Sequence, residues 1–179
     1  MQMEILKKFP CSRKSKSLYF LLTTVVRMFA QSFAGLTQTV FPLTLLKQAI
    51  TMISKISEGV QISVETFYQQ EYSNPLNSEF MFAYRITIEN HNNFTIKLLS
   101  RQWYIFDSNG QQREVEGEGV VGLQPVIEPS KQFQYVSGCN LRTEMGRMYG
   151  HYIMENQNTK STFKVKIPPF EMMVPFKNN

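Results

Sequence analysis

From Gly59 onward, apolar and polar residues alternate with a period of two. Val60, Ile62, Val64 and Thr66 point one way, and Gln61, Ser63 and Glu65 the other, the pattern of a half-buried β-strand. Phe80, Phe82, Tyr84, Ile86 and Ile88 alternate against Met81, Ala83, Arg85, Thr87 and Glu89 and give the clearest strand in the chain. Between these two, residues 72–78 read as a loop opened by Asn74-Pro75. The next strand, 96–106, carries Arg101 and Trp103 on one face and Gln102 and Tyr104 on the other. Asp107-Ser108-Asn109-Gly110 is a hairpin signal, because Asn-Gly suits the positive φ angles of a tight turn. The returning strand is predicted over 111–116. Further strands follow over 131–139, 146–155 and 162–167, with a short one at 172–174 beyond Pro168-Pro169. Seven or eight short strands and no convincing interior helix predict an all-β fold, an antiparallel β-sandwich.

The first fifty-one residues follow another pattern. Their most apolar run, 18–26, ends at Arg27 and falls well short of the roughly 20 residues that span a bilayer. Leu43, Leu46, Ile50 and Ile53 recur at spacings of three and four, which predicts a short amphipathic helix over 41–56.

Composition sharpens this division. A chain of 179 residues has room for one domain with a proper core. Only 18% of its residues are charged, which argues against a largely disordered chain, and the 14 Phe and 8 Tyr suit a pleated surface. The net charge of +5 is unevenly placed. Residues 1–51 hold seven basic side chains against Glu4 alone, whereas 52–179 hold 12 basic and 13 acidic ones. The chain therefore divides into a basic N-terminal extension, 1–51, and a near-neutral domain, 52–179. That domain lacks the electrostatic footprint of a nucleic-acid binder. For the extension, Lys14, Lys16, the apolar run and Ser32-Phe33-Ala34 imitate a secretory signal loosely. An organellar targeting peptide is a second reading. The preferred one is an upstream extension or a poorly ordered tail, with Met52 as the natural start. Cys11 lies in the extension and Cys139 is alone in the domain, so no disulfide is expected within the domain, as in a reducing, cytoplasmic compartment.

Candidate chemistry concentrates at Glu116-Gly117-Glu118-Gly119-Val120-Val121-Gly122, a Gly-x-Gly-x-x-Gly spacing. Its phosphate-binding form needs a strand before the loop and a helix after it, whose free N–H groups face the anion. Here Pro125 and Pro129 follow, Glu116 and Glu118 add negative charge, and no P-loop Lys is present. The glycines are read as permitting a bulge or sharp bend between sheets. His91 and His151 are the only histidines. His151 has no recognisable ligand spacing to Glu116, Glu118 or Glu155, so no metal site is assigned and no cofactor is expected. Cys139 reads as a small buried residue. The candidate binding loop is Glu116, Gly117, Glu118, Gly119 and Gly122; the candidate partner surface is Arg101, Trp103, Arg142 and His151.

Several stretches together resemble the ApaG family. They are the glycine loop, Phe82-Ala83-Tyr84, Leu99-Ser100-Arg101-Gln102-Trp103, Tyr135-Val136-Ser137-Gly138-Cys139, Gly150-His151-Tyr152 and Ile167-Pro168-Pro169-Phe170. They stand in family order over about 52–177. The resemblance implies a sandwich of the immunoglobulin or fibronectin-type-III kind. It also implies a genetic link to cobalt resistance and magnesium efflux, without an assigned reaction. Related domains in eukaryotic F-box proteins and a DNA-polymerase-associated protein look like interaction modules. The expectation is thus a non-enzymatic binding module without a membrane span, acting through a protein partner, with a homodimer left open. The alternative is a protein that binds a nucleotide, pyrophosphate or divalent cation at the 117–122 loop.

Overall fold

The computed structural model describes residues 52–175. Within them the two-residue periodicity becomes nine strands: β1 Met52–Ser57, β2 Val60–Tyr68, β3 Phe80–Asn90, β4 Ile96–Asp107, β5 Gln112–Glu118, β6 Val126–Ile127, β7 Gln132–Leu141, β8 Met145–Asn156 and β9 Thr162–Met173. One antiparallel sheet runs β1-β2-β3-β7. The other runs β5-β4-β8-β9, with β6 paired to β4 on the same edge as β5. The expected all-β antiparallel sandwich is the observed fold. Its core lies between the inner faces, where Ile62, Phe82, Ile86 and Ile88 of one sheet meet Leu98, Trp103, Tyr152 and Phe170 of the other, all at most 2% exposed. Burial at about 25 cal/mol per Å² of apolar surface is what holds the two layers together.

Three expectations change. The helix predicted over 41–56 is not present in its described part, where Met52–Ser57 is an edge strand paired to β2. The remainder of that helix, the three readings of the extension and Cys11 lie outside the described residues. The strands predicted at 162–167 and 172–174 are one strand, β9, running through Pro168-Pro169. Its pairing with β8 shifts register there, so the buried positions move from Val165 and Ile167 to Phe170 and Met172. This break in alternation imitates a strand end. An edge strand tolerates the prolines because its outer N–H groups have no ladder partner. Finally, the glycine loop does not bend the chain from one sheet to the other. β5 and β6 both pair with β4, and the crossing follows β6, at 128–131.

A second bulge positions the site. Leu98 pairs with Met154 but Ser100 with Ile153, leaving Leu99 as the extra residue of β4. The alternation therefore reverses. Before the bulge Ile96 and Leu98 face the core; after it Trp103, Ile105 and Asp107 do, with Arg101 in phase with them.

Candidate functional site

The glycine stretch is a short hairpin docked on the β4 bulge. The Leu99 carbonyl accepts the Gly119 amide at 2.8 Å and the Gln124 side-chain amide at 2.9 Å, and Leu98 N–H donates to the Pro125 carbonyl at 3.0 Å. Between these anchors, Val120 and Leu123 exchange backbone hydrogen bonds of 2.8 and 2.9 Å. Val121 at φ 45° and Gly122 at φ 80° form the turn; a two-residue loop with both central φ angles positive is the type I′ hairpin turn. Gly119 has φ 54°, and a Cβ there would overlap the Leu123 carbonyl. Val120 is fully buried and plugs the hairpin into the core.

Arg101 fastens the same hairpin from the inner face of β4. Its guanidinium donates to the carbonyls of Glu118 at 2.9 Å and Gly119 at 2.7 Å. It lies against Gly117, where a Cβ would sit 3.2 Å from both terminal nitrogens. Gly117 thus makes room for an arginine, and Gly119 and Gly122 shape a turn. The Arg101 charge also acts on the tyrosines of the core. Burial pushes the Tyr84 phenol up to about 12, with its Ser137 hydrogen bond and Arg101 pulling the other way. Burial likewise raises Tyr135 and Tyr152, again against Arg101. Their hydroxyls satisfy each other at 2.5 Å.

This geometry differs from a phosphate cradle. The amides of Gly119, Val120 and Leu123 are given to chain carbonyls rather than converging on an anion, and strand β6 follows where a helix would start. What the hairpin presents is side chains. Val121, Leu123 and, just beyond, Val126 are 38%, 51% and 57% exposed.

The residues singled out from sequence separate onto three regions. Glu116 and Glu118 lie on the solvent face of the β5-β4-β8-β9 sheet. Glu116, Gln102, His151 and Lys166 form one cross-strand row, and Glu118, Ser100, Ile153 and Lys164 the next. The His151 imidazole is held below its usual range by partial burial and by Lys164, against Glu116, and is neutral at pH 7. Arg101 and Gly117 belong to the inner face. Trp103 does too, at 2% exposure, ringed edge-on by Tyr84, Tyr152 and Phe170. It is a core residue rather than part of an exposed partner surface. Arg142 lies at the far end of β4, about 20 Å from Arg101 by strand rise. Its amide donates to Asp107 and its guanidinium pairs with Glu79 at 3.7 Å. Sequence reasoning missed Val121, Leu123 and Val126. The available signal was a β-branched residue preceding glycine at a turn. Cys139 is free and buried, as expected. Burial raises its thiol while Arg113 opposes. Among the described residues, no three His, Cys, Asp or Glu side chains are placed to hold a metal ion.

The profile of the ApaG domain matches residues 70–156. Protein ApaG of Brucella anthropi is 45% identical over 124 residues, covering 69% of this chain and 95% of that protein. Protein ApaG of Sinorhizobium fredii is 41% identical over the same length and shares. The chain belongs to the ApaG family. A solved structure from Bordetella pertussis, described as an ApaA protein, superposes with a TM-score of 0.63 at 37% identity and covers 65% of this chain and 94% of that one. The two-sheet sandwich is therefore the fold of a chain that belongs to this family. No helix among the described residues is long and apolar enough to cross a membrane.

Proposed function

We propose that this ApaG domain is a non-enzymatic interaction module that offers its glycine hairpin to a protein partner. The observation that carries this reading is Val121, a β-branched residue held at φ 45° and 38% exposed. The left-handed conformation costs an L-residue about 1–2 kcal/mol, and Val121 keeps more than a third of its surface in solvent. Such strain concentrates at sites of binding. Val121 and Leu123 on the hairpin, and Val126 on β6 just beyond it, are the exposed apolar side chains of this stretch. Arg101, Leu99 and Gln124 hold the backbone in place beforehand, which reduces the ordering cost of association. A few apolar anchors of this kind suffice to dominate an interface.

On this reading the family's link to cobalt resistance and magnesium efflux runs through the partner, in the cytoplasm, where a free Cys139 stays reduced. The test is affinity capture from the native cell with wild type, Leu123→Asp and Val126→Asp. One captured protein should fall at least about tenfold for either variant, with the melting transition preserved. Equal capture by all three would remove the hairpin from the partner surface. Calorimetry with ATP, dinucleoside polyphosphates, Mg²⁺ and Co²⁺ tests the small-molecule alternative; saturable heat would favour it.

A further inference from the structure

We propose that the solvent face of the β5-β4-β8-β9 sheet binds a second copy of this chain about a two-fold axis parallel to its strands. The inference concerns the open face of this sheet, which adjoins the hairpin at Glu118, and it does not rest on the hairpin's function.

The face is striped by charge. On edge strand β5 the outward side chains include Glu116 and Glu118; on the opposite edge, β9 presents Lys164 and Lys166. All four are exposed, and among the described residues none forms an ion pair. They cannot neutralise one another within one copy. Three strand spacings of about 4.8 Å separate the stripes by roughly 14 Å, beyond the screening length of about 8 Å at physiological salt. Between the stripes stand Gln102 and His151 in one row and Ser100 and Ile153 in the other, and the next row along the strands is aromatic. Tyr104 of β4 and Tyr149 of β8 stack at 5.2 Å with an interplanar angle of 22°, and Tyr149 is 37% exposed.

The strand order makes this face complementary to itself. A two-fold axis between β4 and β8, parallel to them, lays the β5 of one copy over the β9 of the other and β4 over β8. Because Glu116 shares a row with Lys166, and Glu118 with Lys164, the same operation sets each Glu over the Lys of its own row in the other copy. Tyr104 then meets Tyr149. An axis perpendicular to the strands would set acid on acid and base on base. Charge therefore selects one isologous arrangement. The patch measures on the order of 20 by 20 Å, below the roughly 800 Å² per partner of a standard stable interface. The dimer is accordingly weak and salt-sensitive.

Sedimentation of the full chain tests this. At roughly 0.5 mM protein and low salt, where a Kd near 0.1 mM gives mostly dimer, wild type should sediment as a dimer that dissociates as salt rises. Glu116→Lys with Glu118→Lys, and separately Lys164→Glu with Lys166→Glu, should each weaken self-association at least tenfold. An equimolar mixture of the two should restore a heterodimer, a result that only folded chains can give. Independently of any variant, carbodiimide coupling of wild type should join Glu116 to Lys166 or Glu118 to Lys164 between copies. A wild-type monomer under these conditions overturns the proposal. So does a dimer indifferent to the charge reversals, or one without those cross-links. The hairpin reading is decided separately, by capture with Leu123→Asp.

Discussion

Tyr135 of β7 and Tyr152 of β8 meet phenol to phenol across the two sheets, both buried. Each hydroxyl has the other as its partner, so removing one leaves an unsatisfied buried group. Tyr135→Phe should cost about 1–3 kcal/mol, and the double change with Tyr152→Phe should recover part of it, as urea melts of the three variants would show. Ionisation gives a second test. Tyr84 is raised to about 12 in the fold from about 10 in the unfolded chain. The fold thus keeps a proton that the unfolded chain releases. Stability from this group is complete below pH 10 and is lost as pH climbs from 10 towards 12. Tyr135 and Tyr152 shift in the same direction and extend the loss. Denaturant midpoints measured across that range should fall steadily. The alternation of β3 placed Tyr84 inside without any structure. Pairing Tyr135 with Tyr152, however, required knowing which strands of the two sheets lie opposite each other, and no local pattern carries that.

At the scale of elements, the glycine hairpin holds a valine, Val121, in the left-handed region at φ 45°. Asparagine tolerates the left-handed region far better than valine, and Asn-Gly is the preferred type I′ pair. Val121→Asn should therefore raise stability by about 1 kcal/mol while weakening partner capture, a pairing of gain and loss expected where strain serves binding. Gly119→Ala should act oppositely. Its methyl meets the Leu123 carbonyl at an unfavourable φ, and the melting temperature should fall by several degrees, for a loss on the order of 1–3 kcal/mol. The motif itself was plain in the sequence, and its prolines and glutamates already argued against a phosphate loop. Its destination was not plain. That depends on the β4 bulge, where Leu99 supplies the acceptor for Gly119 and turns Arg101 inward beneath Gly117. One added residue in a strand is invisible to a period-two reading until a partner strand shows the slip.

At the largest scale, the described residues form two sheets closed unequally along their sides. On one side β9 packs against β1 and β2, with the Lys166 amide donating to Ser57 at 2.8 Å and the Thr66 hydroxyl to the Glu171 carbonyl at 3.3 Å. On the other side Arg113 of β5 reaches to the Asn140 carbonyl and the Cys139 sulfur of β7. Arg113→Met removes that bridge. Amide exchange should then quicken in β5 while β2 and β3, at the centre of the other sheet, keep their protection; uniform acceleration would show that the bridge matters to the entire fold. The sequence by itself determined the all-β class, most strand positions and the family, because these rest on local alternation and on motifs in order. Tertiary structure alone decided that Trp103 is core, that Arg142 stands apart from Arg101, and that Glu116, His151 and Lys166 share one row. The physical reason is that a strand's sequence specifies two faces, but only its register against neighbours, bulges included, decides which face is buried and what stands beside each residue.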